Sequence, residues 1–109
     1  MNHLLDQAVE AFIEQLLLTP EYQAYLKEKD RISDDEKCLN NIRRLRQLSF
    51  DLQNLSDEQR LHEGALIERE CDELCEDVRV LDFMQAETDF IRLYQEILQR
   101  ILERIDIEE

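Results

Sequence analysis

Apolar residues recur at helical spacing from the first turn of this chain to its last. Near the start, Leu5, Ala8, Val9, Phe12 and Leu16 share one helical face, while Asp6, Glu10 and Glu14 take the other. This pattern predicts a first helix from about Asn2 to Leu18. Thr19-Pro20 then combines a cap with a breaker. Thr19 can accept from an orphan backbone N–H, and Pro20 suits the first helical position. Three residues after Thr19 stands Tyr22 rather than Glu, so the capping box is incomplete. Tyr22, Tyr25, Leu26 and Ile32 form the stripe of a short second helix.

Ser33-Asp34-Asp35 is the next punctuation. Ser33 or Asp34 is the expected cap of a third helix, whose acidic first turn suits the positive end of the helix dipole. Its stripe is Cys38, Leu39, Ile42, Leu45, Leu48, Leu52 and Leu55, so the helix should run to about Leu55. Ser56-Asp57, followed by Glu58 and Gln59, marks another start. From there Leu61, Gly64, Ile67, Cys71, Leu74, Val78 and Leu81 step by three or four, close to a coiled-coil seam. A second stripe follows: Phe83, Ala86, Phe90, Ile91, Tyr94, Ile97, Leu98, Ile101 and Ile105. One helix from Glu58 to Ile105 would be unusually long. A break is therefore expected near Glu76–Arg79, with Asp77 capping the last helix, and a continuous bent helix is the alternative. Asp106 to Glu109 are expected to fray.

The fold class that follows is all-α: an antiparallel bundle of four to five helices, with a long hairpin formed by the third and fourth, in one domain spanning 1–109. Composition agrees. The 109 residues include one Gly (Gly64) and one Pro, too few for the turns of a sandwich or barrel or for a Gly-rich phosphate loop. The core is thin, because a chain of this length buries only about two-thirds of its unfolded surface. The formal net charge is -14, which disfavours nucleic acid and anionic membrane as partners. No apolar run approaches a membrane span, and residues 1–10 lack a secretory pattern, so a cytoplasmic location is expected.

Candidate chemistry is sparse. No constellation supports an enzyme. His3 and His62 stand apart, and Gln59 rather than Glu lies three before His62, so a carboxylate-bridged di-iron bundle is not supported. Cys71 and Cys75 are four apart and share a helical face, and Cys38 could add a third thiolate if its helix packs nearby. A thiolate metal, iron–sulfur or redox-sensing site on these three is the alternative reading. The blander one makes Cys71 a small core residue flanked by Cys75. With three cysteines and no fourth ligand, no cofactor or metal site is expected in this chain alone. Arg43, Arg44 and Arg46 read as a solvated face pairing with neighbouring carboxylates. The last helix is more informative, because its apolar positions cover more than one narrow core can bury. Phe83, Phe90, Tyr94 and Leu98 are the expected interaction residues, with Tyr22 and Tyr25 as secondary anchors, and a symmetric dimer is the simplest assembly.

Two segments carry a family resemblance. Leu17-Leu18-Thr19-Pro20-Glu21-Tyr22-Gln23-Ala24-Tyr25, with Asp35-Glu36 opening the next helix, and Ala86-Glu87-Thr88-Asp89-Phe90, followed by Leu93, Ile97 and Ile101, resemble the YlbF/YmcA family of small helical bacterial regulators, which includes YheA-like proteins. The order of helices agrees over about residues 4 to 105. The resemblance implies a non-catalytic helical protein that self-associates or joins related regulators. It also implies a role in competence, sporulation and biofilm formation, through a complex influencing ribonuclease-dependent messenger RNA maturation. Some members carry tail cysteines linked to iron–sulfur clusters in the assembled complex. The sequence departs from that pattern at Ile107-Glu108-Glu109, and cluster ligation is not carried over to Cys71 and Cys75.

Overall fold

The structure, a computed structural model, describes residues 2–105. Five helices follow one another: α1 (His3–Leu17), α2 (Pro20–Ile32), α3 (Glu36–Gln53), α4 (Asp57–Leu74) and α5 (Val78–Ile105). No strand occurs among the described residues, so the fold class is all-α as the periodicity predicts. The fraying expected of Asp106 to Glu109 lies outside the described residues.

Short polar residues set the helix ends. Asn2 caps α1, its Oδ1 accepting from the backbone N–H of Leu4 at 2.8 Å and of Leu5 at 3.4 Å. The Thr19 hydroxyl works in both directions. It donates to the Leu16 carbonyl at 2.7 Å and accepts from the Tyr22 N–H at 3.2 Å, closing α1 and opening α2. Pro20 occupies the first position of α2, where no N–H is needed. The cap of α3 is Asp35, not Ser33 or Asp34: its carboxylate accepts from the Cys38 N–H at 2.9 Å. Ser33 instead donates its hydroxyl proton to the Asp30 carbonyl at 2.9 Å and so helps to end α2. Ser56 opens α4 with a complete capping box, Gln59 returning its side-chain oxygen to the Ser56 N–H at 2.9 Å. The break before α5 is real, and Asp77 caps it by accepting from the Arg79 N–H at 3.0 Å.

The described residues form two compact units, 2–27 with 85–105, and 28–84. In the second unit α3 packs along α4 as the expected hairpin. The pairing is antiparallel: Arg60 of α4 donates to the Leu52 carbonyl near the turn, and Arg44 meets Glu70 further along. Gly64 is buried against α3, where an added Cβ would lie 3.9 Å from Leu52 Cδ1. The unit's buried apolar residues are Ile32, Cys38, Ile42, Leu45, Leu48, Val80 and Phe83.

The predicted seam is shorter in the structure. Gly64 is buried and Ile67, Cys71 and Leu74 are half-buried, but Leu61 is 85% exposed and Val78 and Leu81 are exposed as well. The reason at the far end is the break at 75–77, which interrupts the helical phase, so the three-four rhythm does not carry into α5. Leu61 lies round the side of α4 from the face centred between Ile67 and Cys71.

Candidate interaction surface

The unit formed by 2–27 and 85–105 holds most of the predicted interaction residues. An aromatic cluster joins α2 to α5. Phe90 lies 5.1 Å from the Tyr22 ring centre, 6.0 Å from Tyr25 and 6.2 Å from Tyr94. Such offset and tilted pairs contribute roughly 0.5–1.5 kcal/mol each beyond the area they bury. Tyr22 and Tyr25 stand three residues apart in α2, which Pro20 opens, and so lie on one side of that helix. Tyr22, Tyr25 and Phe90 are half-buried, so they hold α2 on α5 and present only part of their rings outward.

Beyond Phe90 the cover thins: Ile91, Leu93, Ile97 and Leu102 are only half-buried. Tyr94, Leu98, Ile101 and Ile105 are 43 to 56% exposed on one face of α5. Ile97, Ile101 and Ile105 line a shallow groove with Arg100 and Arg104 at its edge. The first helix is equally uncovered. None of its residues is buried, and Leu4, Leu5, Val9, Phe12, Ile13 and Leu17 are all exposed. The sequence reading picks out the α1 stripe but names no interaction residue on it.

Phe83 stands apart from these residues. It belongs to the 28–84 unit, is 6% exposed, and has the Arg46 guanidinium 5.9 Å from its ring centre. In the structure it is a core residue, while Tyr94 and Leu98 lie at the surface. The arginines of α3 divide by role. Arg44 forms a two-point pair with Glu70 at 2.9 and 3.1 Å, as expected for a face pairing with a neighbouring helix, and Arg43 donates to Asn40.

A further cluster locks two helix starts together within the 28–84 unit. Arg79 donates to Asp35, the cap of α3, and to Asp77, the cap of α5. The carboxyl of Asp35 is held below its ordinary range by the Cys38 N–H first, against some desolvation, and then by Arg79. Asp77 is held down first by the Arg79 guanidinium and then by its backbone N–H. The sequence names Asp77 as a cap but Ser33 or Asp34 in place of Asp35, and it carries no sign that one arginine serves both helix starts.

The three cysteines are free thiols. Cys38 is fully buried, and Cys71 and Cys75 are half-buried. Burial is the main cause that pushes all three thiols up, and the carboxylates of Asp72, Glu70 and Glu68 add to it at Cys71. Among the described residues, no group of three His, Cys, Asp or Glu side chains is placed to hold a metal ion. No helix among them is long and apolar enough to cross a membrane.

These features define a small all-helical protein whose most marked surface property is a broad apolar face. Residues 5–106 match the family described as control of competence regulator ComK, YlbF/YmcA, and the chain belongs to that family. The role that goes with this description is regulatory. Compared with curated proteins and with solved structures, the chain finds no match.

Proposed function

We propose that this protein is a non-catalytic regulatory subunit of the bacterial cytoplasm that acts by binding other protein chains through α1 and the distal part of α5. The observation that carries this reading is the pair of exposed apolar faces in one unit: no residue of α1 is fully buried, and Tyr94, Leu98, Ile101 and Ile105 continue the exposure along α5. Surfaces of that extent mark interaction sites. Membership of a regulator family supports the class of function. The finer reading is a complex with related helical regulators that influences ribonuclease-dependent messenger RNA maturation. Self-association as a homo-oligomer, with a dimer the simplest case, belongs to the same reading. The net charge of -14 supports protein rather than RNA as the direct partner.

The test is affinity capture from the native bacterium under anaerobic conditions, with wild type and a Tyr94→Glu, Leu98→Glu variant as parallel baits. The expected result is stoichiometric recovery of related helical regulators or a ribonuclease with wild type only. Recovery of neither, or equal recovery with both baits, contradicts the proposal.

A further inference from the structure

Cys71 and Cys75 belong to the 28–84 unit and lie outside the apolar faces of α1 and distal α5. Cys71 sits in the last turn of α4, and Cys75 is its C-cap. The Cys75 N–H donates to the Cys71 carbonyl at 3.1 Å, so the helical register runs through both residues. Residues four apart on a helix have Cβ atoms about 5–6 Å from each other. A disulfide needs about 3.5–4.5 Å between Cβ atoms, so these two thiols cannot be bridged without unwinding the turn. Two thiolates that share one metal ion need less. At roughly 2.3 Å per metal–sulfur bond, the ion accepts sulfurs up to about 4.6 Å apart, a separation that side chains at this spacing can meet.

The surroundings suit a cation. The pair stands at the C-terminal end of α4, where the helix dipole is negative. The carboxylates of Asp72, Glu70 and Glu68 act on Cys71, and Asp72 acts on Cys75 as well. Arg44, also close to Cys71, is held by Glu70 in its two-point pair. The same carboxylates oppose a bare thiolate, which makes the pair a poor nucleophile and a poor redox sensor. A metal ion removes that conflict. Both thiols are free and half-buried, so an ion can reach them. We infer that Cys71 and Cys75 form a two-thiolate site for a thiophilic divalent cation of the zinc class. On binding, both S–H bonds break, two protons pass to water, two metal–sulfur bonds form, and no electron moves. Two protons leave and two positive charges arrive, so the net charge beside the carboxylates is unchanged. A monovalent ion would leave the site more negative. Among the described residues no group of three His, Cys, Asp or Glu side chains is placed to hold a metal, so water fills the remaining positions. An iron–sulfur cluster, which takes four protein ligands, is beyond the reach of this pair.

The experiment titrates the reduced, full-length chain with Zn(II) against a chromophoric chelator, without oxygen, beside Cys71→Ser and Cys75→Ser variants checked for helicity by circular dichroism. Wild type should withdraw one zinc ion per chain from the chelator, and each variant should bind at least tenfold more weakly. Co(II) as a second probe should give thiolate-to-metal charge-transfer absorption in wild type that either substitution removes. A measurement on the unmodified chain does not depend on how the variants fold. There, Zn(II) should slow alkylation of Cys71 and Cys75 by iodoacetamide at least tenfold, read residue by residue by mass spectrometry. Equal binding by wild type and both variants means adventitious zinc on surface carboxylates and overturns the site. One ion per two chains, or alkylation rates that zinc leaves unchanged, overturns it as well. None of these outcomes bears on the regulatory reading, which stands on α1 and distal α5.

Discussion

Phe90 is the residue through which the unit of 2–27 and 85–105 is held together, because its ring meets Tyr22, Tyr25 and Tyr94. Truncating it should remove several aromatic contacts at once. Phe90→Ala is expected to destabilise by about 2 kcal/mol, less than the full range for a completely buried Phe because this one is half-buried. Thermal unfolding should show this as a fall of roughly 10 °C in Tm, at about 4–8 °C per kcal/mol. Leu98→Ala, at an exposed position, should change the stability of the monomer little. Arg79 supports a second prediction. Asp35 and Asp77 have carboxyls held below their ordinary range, so the stability they add through Arg79 is present above about pH 4 and disappears as pH falls through their lowered values. Arg79→Met should therefore be less stable than wild type at neutral pH. The gap should be constant down to about pH 5 and shrink steadily as pH falls below about 4, read from Tm across a pH series. A gap that does not shrink in acid would assign Arg79 a packing role instead.

Helix order was legible because the punctuation is explicit. Thr19-Pro20, Ser56 with Gln59, and Asp77 all act at the ends where their chemistry placed them. The apolar rhythm of α3 likewise picked out Cys38, Ile42, Leu45 and Leu48, which are buried. Two kinds of feature were not legible. The cap of α3 is Asp35 where the sequence reading names Ser33 or Asp34, and the second partner of that cap, Arg79, lies 44 residues away in sequence. The fate of an apolar stripe depends on what stands opposite it, and periodicity has no information about that. So the same pattern is buried in α3 and uncovered in α1, and Phe83 lies in the core while Tyr94 and Leu98 lie at the surface. Gly64 tests the α3–α4 packing at this scale. A Cβ there would come within 3.2 Å of Arg60 Cγ, on an exposed and flexible side chain, and 3.9 Å from Leu52. Relief of the glycine's entropy loss, about 1 kcal/mol in a helix, should outweigh that crowding. Gly64→Ala is expected to stabilise by about 0.5 kcal/mol, whereas Gly64→Leu, which must displace Leu52, should destabilise. Denaturant unfolding of the two variants checks both signs.

At the scale of the molecule, the uncovered faces account for how a thin-cored helical chain could be stable and specific. A helix of 15 residues with none fully buried is marginal by itself, and its stability must come from tertiary packing. Docking supplies that packing, so α1 should gain order on association. Amide hydrogen exchange should show it: residues 4–17 should be protected at high protein concentration and exchange rapidly on dilution, while 38–48 keep their protection throughout. Concentration-independent exchange in α1 would mean that association leaves this helix uncovered.

The claim open to the most direct test is that the apolar faces of α1 and distal α5 join copies of this chain. That test is sedimentation equilibrium of the purified protein and of the Tyr94→Glu, Leu98→Glu variant, with circular dichroism on both. The account predicts that wild type sediments as a multiple of its 13.2 kDa chain mass and the variant as a single chain with its helicity largely kept. Wild type sedimenting at 13.2 kDa across the micromolar range, or a variant that stays associated, would contradict it.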